Sequence, residues 1–151
     1  MNTSLNAYKE ARELFIDAVD KFPKQKIEKA LFDKWNLKQL MTHIAGWDNC
    51  IADNVKYLKE GKEPVFYGTV DSFNAKSTDE GKSWNWEKAY KELVKGGERV
   101  IKEYETLDPK LWNIQFWKTK SSTPEKFLKI VTRHYNHEHL PQILKCMEEA
   151  I

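Results

Sequence analysis

His43 and His139 are the residues of this chain best suited to chemistry. All four histidines, His43, His134, His137 and His139, fall in two short segments far apart in the sequence. One is Trp35-Asn36-Leu37-Lys38-Gln39-Leu40-Met41-Thr42-His43-Ile44-Ala45-Gly46-Trp47. The other is Arg133-His134-Tyr135-Asn136-His137-Glu138-His139-Leu140-Pro141-Gln142-Ile143. Imidazole is the commonest metal ligand and the side chain that titrates near neutral pH. A lone histidine on an apolar face is more often a hydrogen-bonded core residue than a ligand. Two of them on facing helices bring the readings level. Leu40, His43, Trp47, Ile51 and Asn54 share one face of a helix, and Leu128, Val131, Tyr135, Glu138, His139, Gln142 and Cys146 share a face of another. Facing helices of a bundle are where such folds build metal and ligand sites. The spacing therefore predicts that His43, Tyr135 and His139 meet in one cavity, with Trp47 in its wall and His137 toward solvent.

Other catalytic signatures fail. His137-Glu138-His139-Leu140-Pro141 is not a zinc-protease HExxH, because Pro141 stands where the second His belongs. Gly81-Lys82-Ser83 resembles the end of a phosphate-binding loop, but Lys76 occupies the position of its first Gly and no strand precedes it. There is no GxSxG and no CxxC, and Cys50 and Cys146 read as core packing. The six tryptophans suit the walls of an apolar pocket holding a few polar groups.

Four helical stripes would position these residues. Tyr8, Ala11, Leu14, Phe15, Ala18, Val19 and Phe22 recur at i, i+3, i+4 spacing and stop at Pro23. Leu37 to Leu58 form the second stripe, ended by Gly61. Trp86 to Tyr104 form the third, before Asp108-Pro109. Gly96-Gly97 inside it marks a kink or a close helix contact. Phe127 to Met147 form the fourth, with Ser122-Thr123 as a cap and Pro124 in the first turn. Pro141 removes one backbone bond and predicts a bend just past His139. Gly61 to Ser83 and Asp108 to Ser122 read as long connections. The expectation is a single all-α domain, residues 1–151, built as a four-helix bundle.

Composition narrows the function classes. Lys plus Arg number 25 against 23 Asp plus Glu, a net charge of +2. That balance gives no electrostatic footprint for nucleic acid or a membrane surface. No apolar run approaches the roughly 20 residues of a membrane span, and no secretory pattern opens the chain. The expected setting is cytoplasmic, with reduced thiols.

The Trp35–Trp47 segment, with its His-Ile-Ala-Gly-Trp end, resembles the DinB/YfiT-like superfamily. The final His-Tyr…His-Leu-Pro-Gln-Ile is similar to it as well. Asp71-Ser72-Phe73-Asn74 resembles the D-x-F-N of some members, including those near the ClbS/DfsB group. The resemblance implies an up-down-down-up four-helix bundle, often dimeric. It implies one divalent metal, zinc or nickel, held by a His of the second helix and a His-x-x-x-His pair on the last. It also implies thiol-dependent transfer, isomerisation or hydrolysis of reactive small molecules. By position His43 and His139 match two ligands. Tyr135 stands where the middle one belongs, and the adjacent His134 lies about 100° round the wheel from it. The third ligand thus falls to Tyr135, or to His134 after a local distortion, unless the pocket is metal-free. The reading is an enzyme acting on a reactive small molecule by transfer or hydrolysis, a metal-dependent hydrolase or thiol transferase, with a homodimer expected. The alternative is a non-catalytic bundle that binds or sequesters a small molecule.

Overall fold

The computed structural model of the chain describes residues 3–32, 35–65, 70–115 and 123–148. Ser122, Phe116 and Trp117 lie outside the described residues. Helix α1 (Thr3–Asp20) buries Tyr8, Ala11, Phe15, Ala18 and Val19, the predicted stripe. Helix α2 (Leu37–Lys59) starts at a capping box in which Asn36 and Gln39 satisfy each other's backbone N–H. It ends just before Gly61, whose φ of 72° is the left-handed conformation that glycine takes at least cost. Helix α3 spans Val70–Ser83, and α4 spans Trp86–Glu105 behind an Asn85 cap. Helix α5 (Pro124–Arg133) opens as the sequence indicates, with Thr123 accepting from Lys126 N and Pro124 in the first turn. It continues through a π turn at His134–His139 into α6 (Leu140–Glu148).

Four long elements make the bundle: α1, α2, α4 and the α5–α6 rod. Side-chain contacts give their directions. Along α2 and α4, Lys38 reaches Trp84 O, Asp53 pairs with Arg99, and Lys59 pairs with Glu103. Low numbers meet low and high meet high, so the two helices run parallel. Between α1 and the rod, Ser4 meets Glu125 and the rings of Tyr8 and Phe15 meet Tyr135, again parallel. Lys9 on α1 pairs with Glu105 at the far end of α4, so those two are antiparallel. The topology is up-down-down-up. No strand occurs among the described residues, only an isolated bridge between Phe32 and Trp35.

Two sequence expectations are corrected. The connection from Gly61 to Ser83 contains a helix, α3, which carries α4 back to the start of α2. Its buried residues are Ser77, Thr78 and Gly81, so it has no apolar stripe to betray it. It lies antiparallel on α2 through small residues. A Cβ on Gly46 would strike the Ser77 hydroxyl, and one on Gly81 would strike the Thr42 side chain. The second correction concerns Pro141. The distortion falls before His139, as the π turn, rather than just past it. Pro141 has no N–H to give, and its ring crowds the carbonyl four residues back, that of His137. Opening the ladder to i→i+5 spacing there relieves that crowding. Gly96-Gly97 is a close contact: α4 passes unbroken against α2 and Arg12 of α1, and a Cβ on Gly97 would strike Arg12.

Candidate functional site

A cavity of about 270 Å³ opens between α2, α3 and the α5–α6 rod. Ile44, Ile51, Phe127 and Val131 make apolar walls, and Val70 and Ile130 stand exposed at its lining. Trp47 closes one side. Its ring lies against Phe73 with centroids 4.6 Å apart, and its Nε1 donates to Asn74 Oδ1 at 2.7 Å. That bond ties α3 to α2 across the cavity.

The polar groups of the cavity are chiefly the histidines. His43 is buried, with Trp35 at 4.8 Å on one side and His139 edge-on at 5.3 Å. His134 stacks on His139 with centroids 6.0 Å apart. In a regular α-helix these two, five residues apart, would diverge by about 140°. In a turn closed by i→i+5 bonds they lie nearly one above the other. The π turn therefore brings His134 to the site, the local distortion that the sequence left as an alternative. Tyr135 lines the same cavity, but its hydroxyl donates to Asp48 Oδ2 at 2.8 Å. His137 is exposed.

The hydrogen bonds fix where the imidazole protons are. His134 Nδ1 faces Glu138 Oε2 at 2.7 Å, and His139 Nδ1 faces Gln142 Oε1 at 3.1 Å. Both oxygens accept, so each Nδ1 is the nitrogen that donates to its partner. Ligand atoms of His134, Glu138 and His139 lie within 4.8 Å of one another. Nδ1 of His43 is buried and has no partner among the described residues. Burial, with His139 and His134 adding to it, pushes the His43 pKa down to about 3. Burial also lowers that of His139. Both rings are neutral at neutral pH, the state in which imidazole ligates metal or accepts a proton.

Beneath the histidines is a buried polar group that the sequence reading missed. Asp48 is fully buried, with Tyr8 and Tyr135 close by and Arg12 reaching toward them from α1. Arg12 donates to Val94 O at 2.6 Å, while its Nε, Tyr8 Oη and Asp48 Oδ1 find no partner among the described residues. Burial pushes the Asp48 carboxyl up to about 7, against the opposing pull of the two tyrosines and Arg12. The signal was in the spacing. Asp48 stands between Ile44 and Ile51 on the apolar stripe of α2, and Arg12 stands between Tyr8 and Phe15 on that of α1.

The family model described as the DinB superfamily matches residues 7–143. The chain belongs to the DinB superfamily. Among solved structures, "Crystal structure of the mycothiol-dependent maleylpyruvate isomerase" matches with a TM-score of 0.77 at 11% sequence identity, over 87% of this chain and 56% of that one. At such low identity the likeness is one of fold, and this DinB-superfamily chain spans little more than half of its structural neighbour. No curated protein matches the chain. No helix among the described residues is long and apolar enough to cross a membrane.

Proposed function

We propose that this DinB-superfamily protein is an enzyme that modifies a small, largely apolar, reactive molecule by transfer or hydrolysis, with a divalent metal ion as cofactor. The observation that carries this reading is the meeting of His43, His134 and His139 in an otherwise apolar cavity. The residues fit a zinc or nickel ion. Metal-binding histidines characteristically donate their second nitrogen to a carboxylate or carbonyl, and His134 and His139 do so to Glu138 and Gln142. His43 adds a buried imidazole whose Nδ1 is unpartnered. His134 and His139, whose ligand atoms lie within 4.8 Å of each other and of Glu138, would hold the ion, and His43, its ring 5.3 Å from that of His139, would approach it from the buried side. When bound, such an ion makes a water or thiol a nucleophile near neutral pH.

The chain's own groups do the rest. The isoleucine and valine walls take the apolar body of the substrate and exclude water, which strengthens every charge interaction inside. Trp47 and Asn74 hold α3 over the cavity. Protein prepared without a His-tag and dialysed against zinc or nickel is expected to retain about one ion per chain. It should then consume many equivalents of an activated apolar ester such as p-nitrophenyl acetate. Metal content equal to that of a buffer blank, or turnover unchanged in a His43→Ala variant, counts against the reading.

A second reading, a non-catalytic protein that sequesters a small molecule, draws on the predominance of apolar side chains in the wall, where Tyr135 and Asn74 are already tied to Asp48 and Trp47. It predicts stoichiometric uptake of an apolar ligand without turnover. The expected homodimer accompanies either reading: Leu14 on α1 and Leu144 on α6 are 55% and 44% exposed, on elements that pack together. Light scattering should then give twice the 17.8 kDa of the chain, and a monomer mass at micromolar concentration would remove the claim.

A further inference from the structure

We propose that Asp48, acting through Tyr135, is the positioning group of the histidine cluster: the bond between them pins the π turn and so aims His134 and His139 at one point. The inference rests on the reading that these histidines hold a divalent ion, but its central test needs no metal.

A π turn within a helix is rare, and something must hold it against relaxation to α geometry. Pro141 opens the ladder by withholding its N–H, but it does not determine which residues turn inward. Within His134–His139 only Tyr135 and His139 are buried; Asn136, His137 and Glu138 face solvent, and His134 is exposed at the rim of the cavity it lines. Tyr135 is the upstream anchor. Its ring is packed edge-on between Tyr8 at 5.9 Å and Phe15 at 5.3 Å, and its hydroxyl meets Asp48 at 2.8 Å. Asp48 is itself wedged. It has no exposed surface, and Gly96 of α4 approaches close enough that a Cβ there would lie 3.4 Å from the Cβ of Asp48. Asp48 belongs to α2 and not to the rod, so its position is set independently of the turn that carries Tyr135. With Tyr135 tied at one end and His139 held by Gln142 at the other, His134 falls beside His139. Pro141 still opens the ladder at its downstream end, but released from Asp48 the upstream end around Tyr135 is free to rewind, which would swing His134 away from His139.

The same bond explains the departure from the family pattern. Tyr135 occupies the position where a middle ligand is implied, and instead of ligating it anchors the turn that brings its neighbour His134 into place.

The test compares Tyr135→Phe, Asp48→Ala and Asp48→Asn in metal-free protein, each checked by circular dichroism for native helix content. Wild type should show a nuclear Overhauser contact between the His134 and His139 ring protons. Tyr135→Phe keeps the ring packing and loses only the hydroxyl, and should lose that contact. Asp48→Ala removes the acceptor and should lose it too, and it stands in if Tyr135→Phe does not fold. Asp48→Asn still offers an oxygen to the hydroxyl and should retain the contact. Zinc affinity by calorimetry should fall about 10–100-fold in the first two variants, the range for loss of an outer-shell partner, and much less in the third. A folded Tyr135→Phe or Asp48→Ala protein that keeps the His134–His139 contact overturns the proposal. Loss of the contact in a protein that binds no zinc even as wild type upholds the positioning role and refutes the metal reading instead.

Discussion

Alanine at His139 is expected to lower zinc affinity by about a hundredfold or more, the largest effect of any single substitution at this site. Losing only a hydrogen-bond partner of a ligand typically costs 10–100-fold, and losing the ligand itself costs at least the upper end of that range. His139 is also the middle of the cluster. Its ring lies 5.3 Å from that of His43 and 6.0 Å from that of His134. Without it the two remaining imidazoles lose the ring that adjoins both of them. His137→Ala is the matched control, because His137 is exposed on the same turn and should leave affinity unchanged. Titration calorimetry with zinc and nickel checks both. Equal affinity in wild type and His139→Ala would place any ion elsewhere, and no binding by either would favour the sequestering reading.

Much of this site was legible because helical periodicity is a strong signal when the apolar stripe is clean. The stripes of α1, α2 and α4, the Thr123 cap and the stop at Gly61 follow directly from residue types. The same wheel puts His43 and His139 inward from opposite sides of the bundle. It fails where its two assumptions fail. It assumes that a packed helix shows an apolar face, but α3 packs through Ser77, Thr78 and Gly81 against Gly46 and Thr42, where backbone proximity replaces side-chain bulk. It also assumes a constant 3.6 residues per turn. The π turn breaks that constancy, so the wheel turns His134 away from the face the structure gives it. Pro141 was the visible sign, read as a bend on the wrong side of His139. Asp48 and Arg12 were passed over for a different reason. A charged residue within an apolar stripe reads as an interruption of the pattern, whereas here it is a buried carboxyl that accepts from the Tyr135 hydroxyl, with Tyr8 and the Arg12 guanidinium nearby.

That buried carboxyl makes stability depend on pH in a direction opposite to the usual aspartate. An ordinary Asp paired in the native state stabilises it above the unfolded pKa. Asp48 instead has a folded pKa of about 7 against an ordinary value of 3.8, because burial disfavours its charge. The native state therefore holds a proton that the unfolded chain releases. Its contribution is most favourable below about pH 4, declines as pH rises, and levels off above pH 7. At about 1.4 kcal/mol per pH unit, the loss between pH 5 and pH 8 comes to roughly 2–3 kcal/mol. Asn in place of Asp48 is neutral throughout and similar in shape, so it should escape that loss. Groups that titrate in both proteins cancel when the two are compared. The stability of Asp48→Asn relative to wild type, from urea unfolding, should thus improve by about 2–3 kcal/mol between pH 5 and pH 8. Tyr135 would still find an oxygen at position 48, while Arg12 would lose a nearby anion only above pH 7, where the wild-type carboxylate forms. A difference that stays constant across this range would mean that Asp48 is already ionised in the native protein at pH 5, with Arg12 and the tyrosine hydroxyls outweighing its burial.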